Sequence, residues 1–423
     1  MTVTPASDPA RPSTAPAATA PGAAALPPVA LAGTPVVLAL FIVALALRPQ
    51  LSAIGPLVPE VLAEFGPSHA FVGLLTAIPV FCMGLFALAG PPAAARFGTR
   101  GGIVLSVAVL VASGILRALV PGAELVLLAT FGIGVGTAVI GPILAMFVRD
   151  RMPTQLVGGT SSYAGGTIVG AALGAAFAVP LAAALGGWRG AMLAISLLSI
   201  ACLVTWIVVV RRRPSPNAAS AGPRRLELPR LPVRRGVVWA IAILFGLQSW
   251  LYYGQTAWLA SVYIELGWAP GAAAVLLSIV SVASLGAIVL APAGAHRGLS
   301  RRVMLTAAAV SSTSGLLGVA LVPAPGVLWA VLLGFGLGMM FTLLLTLPTD
   351  LSHDPREVGG ASALMLLVGY LLAALAPSVL GAVRDATGEF GPAIWLLAGI
   401  AVVMIPLSWS LTPLRLHGHV DTA

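Results

Sequence analysis

The chain of 423 residues is 59% apolar and 8% charged, and its mean hydropathy of +1.03 lies far above that of water-soluble domains. Its long uncharged runs exclude a soluble fold and point to an all-α integral membrane protein, since barrel strands alternate over about ten residues and do not form such runs. The net charge of +9 rests on arginine, there being no lysine, and reflects topology and contact with the lipid bilayer, with no need for a nucleic-acid partner.

Residues 1–34 are rich in Ala, Pro, Ser and Thr, lack periodicity, and read as a disordered cytoplasmic tail. No basic stretch precedes a short apolar core, so a cleaved signal peptide is not expected. Twelve runs of spanning length follow, at approximately 35–58, 70–92, 102–120, 125–147, 157–185, 190–210, 237–264, 271–294, 302–322, 327–349, 358–383 and 391–413. The Arg- and Pro-rich segment 211–236 reads as a cytoplasmic linker between an N-terminal half, 35–210, and a C-terminal half, 237–413, with 414–423 a second cytoplasmic tail. With the N-terminus cytoplasmic, 18 of the 22 arginines fall on the cytoplasmic side, Arg117, Arg189 and Arg384 fall outside, and Arg48 alone lies in a span. That distribution obeys the positive-inside rule.

The halves repeat one another at an offset of about 200 residues. FGIGVG at 131–136 pairs with LGFGLG at 333–338, VGGTS at 157–161 with VGGAS at 358–362, and the text ending at Gly98 with that ending at Gly298. Parallel six-helix repeats around a midplane site are a transporter architecture.

Arg48 is the leading candidate site residue. A cation at that depth costs roughly 2.5–3.5 kcal/mol on insertion scales, so it belongs where it faces protein or water. Pro49 has no amide hydrogen and disfavours helical geometry before it, which predicts a kink and a Leu45 carbonyl without its helical partner. Ser52 lies on the face of Arg48, one turn on, and Gln50 lies off it. The competing reading, a span from Val29 to Leu47 with Arg48 at its outer end, leaves 51–58 unexplained. In the seventh run Gln248, Tyr252 and Gln255 recur at helical spacing, with Trp250, Tyr253 and Trp258 on other faces. The six candidate substrate contacts are therefore Arg48, Ser52, Gln248, Tyr252, Gln255 and, from outside that stripe, Trp258. Their ordinary alternatives are helix-knitting amides and interfacial aromatics.

Arg96, Gly98 and Arg100 between the second and third runs, with Trp188 and Arg189 before the sixth, resemble the signatures of the major facilitator superfamily. Ala95 stands where the superfamily has an acid, which puts its cytoplasmic charge latch in doubt. Pro49, Gly98 and Arg100 are the candidate kink and gating residues. ALRPQLSAIGPL at 46–57, GLQSWLYYGQTAWL at 246–259 and VGYLLAALAPSVLGAVRDATG at 368–388 are similar to the cyanate and 2-nitroimidazole transporter family. The resemblance implies the major facilitator fold, a bacterial cytoplasmic membrane location, and transport of a small polar or anionic solute by alternating access.

All 13 acids and five histidines fall in loops or tails under this topology, so a buried acid is not expected to carry a coupling proton. A proton-driven exporter of neutral or cationic compounds is the alternative, and it fits poorly with a cation in the cavity. No histidine stands in a span to activate Ser362, and HExxH does not occur, so an enzyme is not expected. Cys82 and Cys202 read as buried apolar residues, Tyr163 and Tyr370 as packing, and Asp354, Pro355 and Glu357 as a helix start beside His353. The expected partners are a small-molecule substrate and lipid. No cofactor, metal or second subunit is called for.

Overall fold

The computed structural model describes residue 2 and residues 34–66, 68–152, 155–210, 231–233, 235–352 and 354–411. The expected tails and most of the expected linker lie outside these, as does His353. Eleven helical stretches are long and apolar enough to cross a bilayer, one of them His69–Leu119, 51 residues long. At 1.5 Å per residue that stretch would measure about 76 Å, over twice a hydrocarbon core. It turns back at Gly98, whose φ of 71° and ψ of 160° no helix contains, and so makes two crossings. Twelve spanning helices result among the described residues.

The first helix, α1, is built from Thr34–Leu45, the single turn Pro49–Ser52, the tight turn Gly55–Leu57 and Val58–Phe65. The second, α2, begins with His69–Phe86 and runs to residue 97, and α3 occupies 99–119. The rest are Ala123–Arg151 (α4), Leu156–Leu185 (α5), Trp188–Val209 (α6), Gly236–Glu265 (α7), Pro270–His296 (α8), Arg301–Leu321 (α9), Gly326–Thr346 (α10), Pro355–Thr387 (α11) and Gly391–Ser410 (α12). Successive crossings alternate, so the turns at 66–68, 120–122, 186–187, 266–269, 322–325 and 388–390 share one face of the bundle. That face is called far here; the opposite face, with residue 34, is near.

The repeat is visible in backbone conformation. Left-handed glycines stand at matching turns of the two halves: Gly66 and Gly267, Gly98 and Gly298, Gly186 or Gly187 and Gly388. These positions favour glycine because a Cβ strains a positive φ. The glycine-rich helices α4 and α10 match in a register two residues from the one their text indicates. Gly134 lies against Pro79 and Cys82 of α2, and Gly334 against Val280 of α8. Gly136 meets Ser106 and Leu110 of α3, as Gly336 meets Ala308 and Ser312 of α9. Equivalent packing is thus made at an offset of 200, not 202.

The expected kink in α1 is a full interruption. Residues 46–48 are not helical, and the amides of Ala46 and Leu47 reach back only three residues, to Val43 and Ala44. Helix α5 carries Gly166, Gly170 and Gly174 one turn apart, and their bare faces abut the carbonyl of Phe41, the carbonyl of Leu45 and Cα of Pro49 respectively. Small residues at this spacing let two backbones approach within a membrane, and here they close the gap beside the broken helix. The halves meet where the Gly55 turn of α1 lies against the Thr256 and Ala257 carbonyls of α7, and along two longer helix pairs. Gly73 and Gly84 of α2 receive Pro377 and Leu371 of α11, and Ser278 Oγ of α8 donates to the Ala172 carbonyl of α5 at 2.8 Å.

Replacing a helical glycine with alanine ordinarily favours the helix by about 0.5–1 kcal/mol. At Gly174 a Cβ would stand 2.6 Å from Pro49 Cα, whereas at Gly141 in α4 it would meet nothing within 4 Å. Gly174→Ala is therefore expected to lower stability by about 1–3 kcal/mol and Gly141→Ala to leave it equal or higher, as read by thermal unfolding of the purified protein in detergent.

Candidate functional site

Arg48 sits at the interruption of α1, roughly midway along that helix. The residues on either side of it, Leu47 and Pro49, are buried, yet Arg48 keeps part of its surface accessible. Its Nη1 donates to the hydroxyl of Tyr253 at 2.7 Å. The guanidinium carbon also lies 6.0 Å from the ring centre of Tyr252 and 5.7 Å from that of Tyr253, within the range of cation–π attraction. Tyr252 and Tyr253 meet almost at right angles, centroids 5.1 Å apart, and Tyr370 of α11 packs edge-on to Tyr253 at 6.4 Å, within electrostatic reach of Arg48. Three of the chain's five tyrosines thus gather around one arginine, and among the described residues no carboxylate pairs with it.

The arrangement spans both halves, because Arg48 belongs to the first and all three tyrosines to the second. Met83 of α2 completes the ring, its sulfur 3.5 Å from the Tyr253 hydroxyl. A guanidinium held by a phenol and ring faces retains donors and full charge, which suits it to accept a small anion or an electron-rich polar group.

Other candidates lie elsewhere. Gln248 is buried and turned towards α10, donating to the Leu337 carbonyl at 3.4 Å while its Oε1 accepts from Ser249. Ser52 donates to the Arg48 carbonyl at 3.3 Å and packs on Gly174, so it supports the backbone of Arg48 and does not reach its guanidinium. Gln255 donates to Thr256 Oγ1 at 3.0 Å, and its buried Oε1 has no partner among the described residues. Trp258 stands towards the far face, its Nε1 donating to the Pro377 carbonyl at 2.8 Å and its ring against His69 and Phe390. Pro49 opens the one-turn helix after the break. Gly98 forms the α2–α3 turn, and Arg100 holds the carbonyls of Ile207 and Val210, satisfying the open end of α6 within the same half.

Three placements differ from the sequence reading, the first being Tyr370, read as packing and found against Tyr253 beside Arg48. Tyr253, assigned there to another face, makes the direct bond to Arg48, because two long side chains on adjacent residues can flank one target from either side. Arg117, assigned to the outside, is fully buried and bonded to Gln50 of the α1 turn, so Arg48 is not the only cation within the bundle. Neither Tyr370 nor Gln50 carried a pattern that linked it to Arg48; only the fold brings these residues together.

On the far face the halves are tied by one carboxylate. Asp385 of α11 accepts from the amides of His69 and Ala70, both at 3.0 Å, from Ser68 Oγ at 3.4 Å, and lies 2.7 Å from His69 Nδ1. It therefore caps the N-terminus of α2 across the boundary between halves, where the helix dipole favours negative charge. Within the first half Glu64 pairs with Arg189 at 2.6 Å and accepts from Trp188 Nε1 at 2.7 Å, and Arg189 also takes the Ala118 and Val120 carbonyls at the end of α3. Within the second, Glu265 pairs with Arg384 at 3.0 Å and accepts from the Phe390 amide.

The model of the Major Facilitator Superfamily matches residues 36–377. The chain is 31% identical over 349 residues to the cyanate transport protein CynX of Escherichia coli (strain K12), covering 81% of this chain and 88% of that one. It is 27% identical over 358 residues to the 2-nitroimidazole transporter of the same organism, covering 85% and 90%. Among solved structures, a D-xylose–proton symporter shares the fold with a TM-score of 0.72 at 16% identity, over 90% of this chain and 98% of that one.

If Asp385 holds the far ends together, Asp385→Ala should lengthen and broaden the distance between spin labels at Glu124 and Ala324, exposed far-face positions in opposite halves. Double electron–electron resonance reads this directly, and an unchanged distribution would show that packing alone closes that face.

Proposed function

The chain belongs to the major facilitator superfamily, and from that premise we propose that it carries a small anionic or electron-rich polar solute, of the size of cyanate, bound at Arg48. It is a multi-pass secondary transporter and not an enzyme. The observation that carries the reading is an arginine at mid-membrane that keeps part of its surface accessible, its guanidinium held by tyrosines of the opposite half and paired with no acid among the described residues.

In this reading Arg48 supplies the charge, while the Tyr253 hydroxyl and the Tyr252 and Tyr370 rings shape the site. A charge-assisted hydrogen bond contributes about 1.5–3 kcal/mol net. With three heavy atoms and a ceiling of about 1.5 kcal/mol per atom, cyanate would bind at roughly millimolar affinity. Such weak binding permits fast release. The solutes for which the two relatives are named, cyanate and 2-nitroimidazole, share small size and a polar, electron-rich character. The flat flanking rings favour a nitroimidazole as second candidate, since a heteroaromatic could stack where cyanate cannot. Cationic cargo is disfavoured by like charge.

Transport follows from the halves sharing the site. Solute bound between Arg48 and the tyrosines is released to one side when the far ends part and to the other when the near ends part, with α2–α11 and α5–α8 as the moving seams. The arginine distribution orients the near face and both termini to the cytoplasm of a bacterial cell.

In proteoliposomes loaded with or exposed to cyanate, Arg48→Ala is expected to reduce uptake about 10- to 100-fold, the factor that corresponds to one charge-assisted bond, with folding preserved. Arg48→Lys should recover little of it, because a point charge replaces a planar fork. Normal flux through Arg48→Ala would remove the site assignment. Tyr253→Phe keeps the ring but loses the hydroxyl, and should weaken cyanate binding by about three- to tenfold, measured by calorimetry.

A further inference from the structure

The one-turn helix Pro49–Ser52 that carries Arg48 at its head is too short to hold its own orientation. Its carbonyls show where support comes from. The Arg48 carbonyl accepts from the amides of Leu51 and Ser52, and the Pro49 carbonyl from that of Ala53. Next in line, the Gln50 carbonyl would accept from Ile54 in a regular helix, but the Ile54 amide bonds instead to Leu51. Gln50 is fully buried, so its carbonyl must be met from within the protein.

Arg117 meets it. From the last turn of α3, its Nη2 donates to the Gln50 carbonyl at 2.9 Å and also to Gln50 Oε1, with Met192 Sδ of α6 at 3.0 Å. The same Gln50 side chain donates through Nε2 to Ser196 Oγ of α6 at 2.8 Å. Space for that amide exists because α3 has Gly114 one turn before Arg117, where a Cβ would stand 2.9 Å from Gln50 Nε2 and 2.6 Å from Ser196 Oγ. Arg117 is fully buried, and its Nε and Nη1 have no partner among the described residues. A cation so enclosed is a costly way to fill space: an apolar side chain would do that without desolvating a charge. The guanidinium does what an apolar chain cannot, meeting a freed backbone carbonyl and a side-chain amide at once.

We propose that Arg117 is a positioning residue for Arg48: through Gln50 it fixes the one-turn helix against α3 and α6, while Gly174 of α5 fixes the other side, and so sets where the Arg48 guanidinium stands. The part concerning solute affinity rests on Arg48 being the binding residue; the part concerning the α1 turn does not.

The test uses the full-length protein and the double variant Arg117→Met/Gln50→Leu, in which both side-chain partners become apolar. Removing both avoids stranding a buried polar side chain, so folding is expected to survive. Arg117→Lys serves as a second variant, able to reach the carbonyl but not both acceptors. Two readouts apply. Cyanate affinity, measured by calorimetry beside wild type and Arg48→Ala, should fall roughly tenfold in the double variant and less in Arg117→Lys, in protein that stays folded with a melting temperature lowered modestly by the unmet Gln50 carbonyl. Independently of any ligand, amide exchange across residues 46–54 should accelerate roughly tenfold in the double variant and by a smaller, measurable factor in Arg117→Lys, while α7 keeps its protection. Wild-type exchange in this segment in a folded variant of either kind would overturn the proposal. Wild-type cyanate affinity in the double variant, with Arg48→Ala failing to bind, would overturn its link to Arg48. Equal cyanate behaviour of wild type and Arg48→Ala would instead remove the Arg48 site, leaving the exchange measurement to decide the role of Arg117.

Discussion

Backbone at membrane depth must find its hydrogen bonds inside the protein, and the interruption of α1 is where that constraint governs this structure. Pro49 removes one donor and the turn at 53–57 redirects another, freeing carbonyls on both sides of Arg48. Arg117 meets the freed Gln50 carbonyl, Ser52 Oγ adds a bond to the Arg48 carbonyl that the Leu51 and Ser52 amides already meet, and the Leu45 carbonyl abuts the bare face of Gly170. Much of the polar and glycine chemistry of α3, α5 and α6 can be understood as the surroundings that a broken α1 requires.

The two halves repeat their frame but not their centre. Turn glycines, packing glycines and the acid closing the first helix of each half, Glu64 and Glu265, recur at offsets near 200. At mid-membrane the similarity ends: α1 is broken and carries a cation, whereas α7 is continuous over Gly236–Glu265 and carries aromatic rings and amides. A symmetric scaffold thus places unlike chemistries on the two sides of one site. On the proposed reading, opening either face changes how the tyrosines approach Arg48 and so couples solute binding to conformation.

How much of this was legible in the sequence depends on the range of the interaction. Spans, the repeat, the kink at Pro49 and the candidacy of Arg48 are local or periodic properties, and all can be read from residue order. Tyr252 and Tyr253 were separable only by assuming that a helical stripe has one target. In fact a single guanidinium receives neighbours from two adjacent faces. Arg117 was misplaced because positive residues near span ends ordinarily mark loops; its burial follows from Gln50, sixty-seven residues away in sequence. The stripe Gly166, Gly170, Gly174 was present in the text at the spacing that signals close approach, but its partner could be named only once α1 lay against it. Gln248 shows the opposite case, a mid-span amide of the right periodicity that serves to join α7 to α10.

Charge makes the last connection. The bundle encloses Arg48 and Arg117, and the carboxylates described sit at helix ends, as Glu64, Glu265, Asp350 and Asp385 do. An empty site is therefore positive and a site holding a monovalent anion is close to neutral at Arg48. A transmembrane potential acts on net charge, by about 2.3 kcal/mol per elementary charge for each 100 mV traversed in full. On the proposed reading, reorientation with anion bound is the less field-sensitive half of the cycle, and return of the empty carrier the more sensitive. No buried acid is then needed to shape the cycle, because Arg48 and its cargo change the charge of the moving site between them.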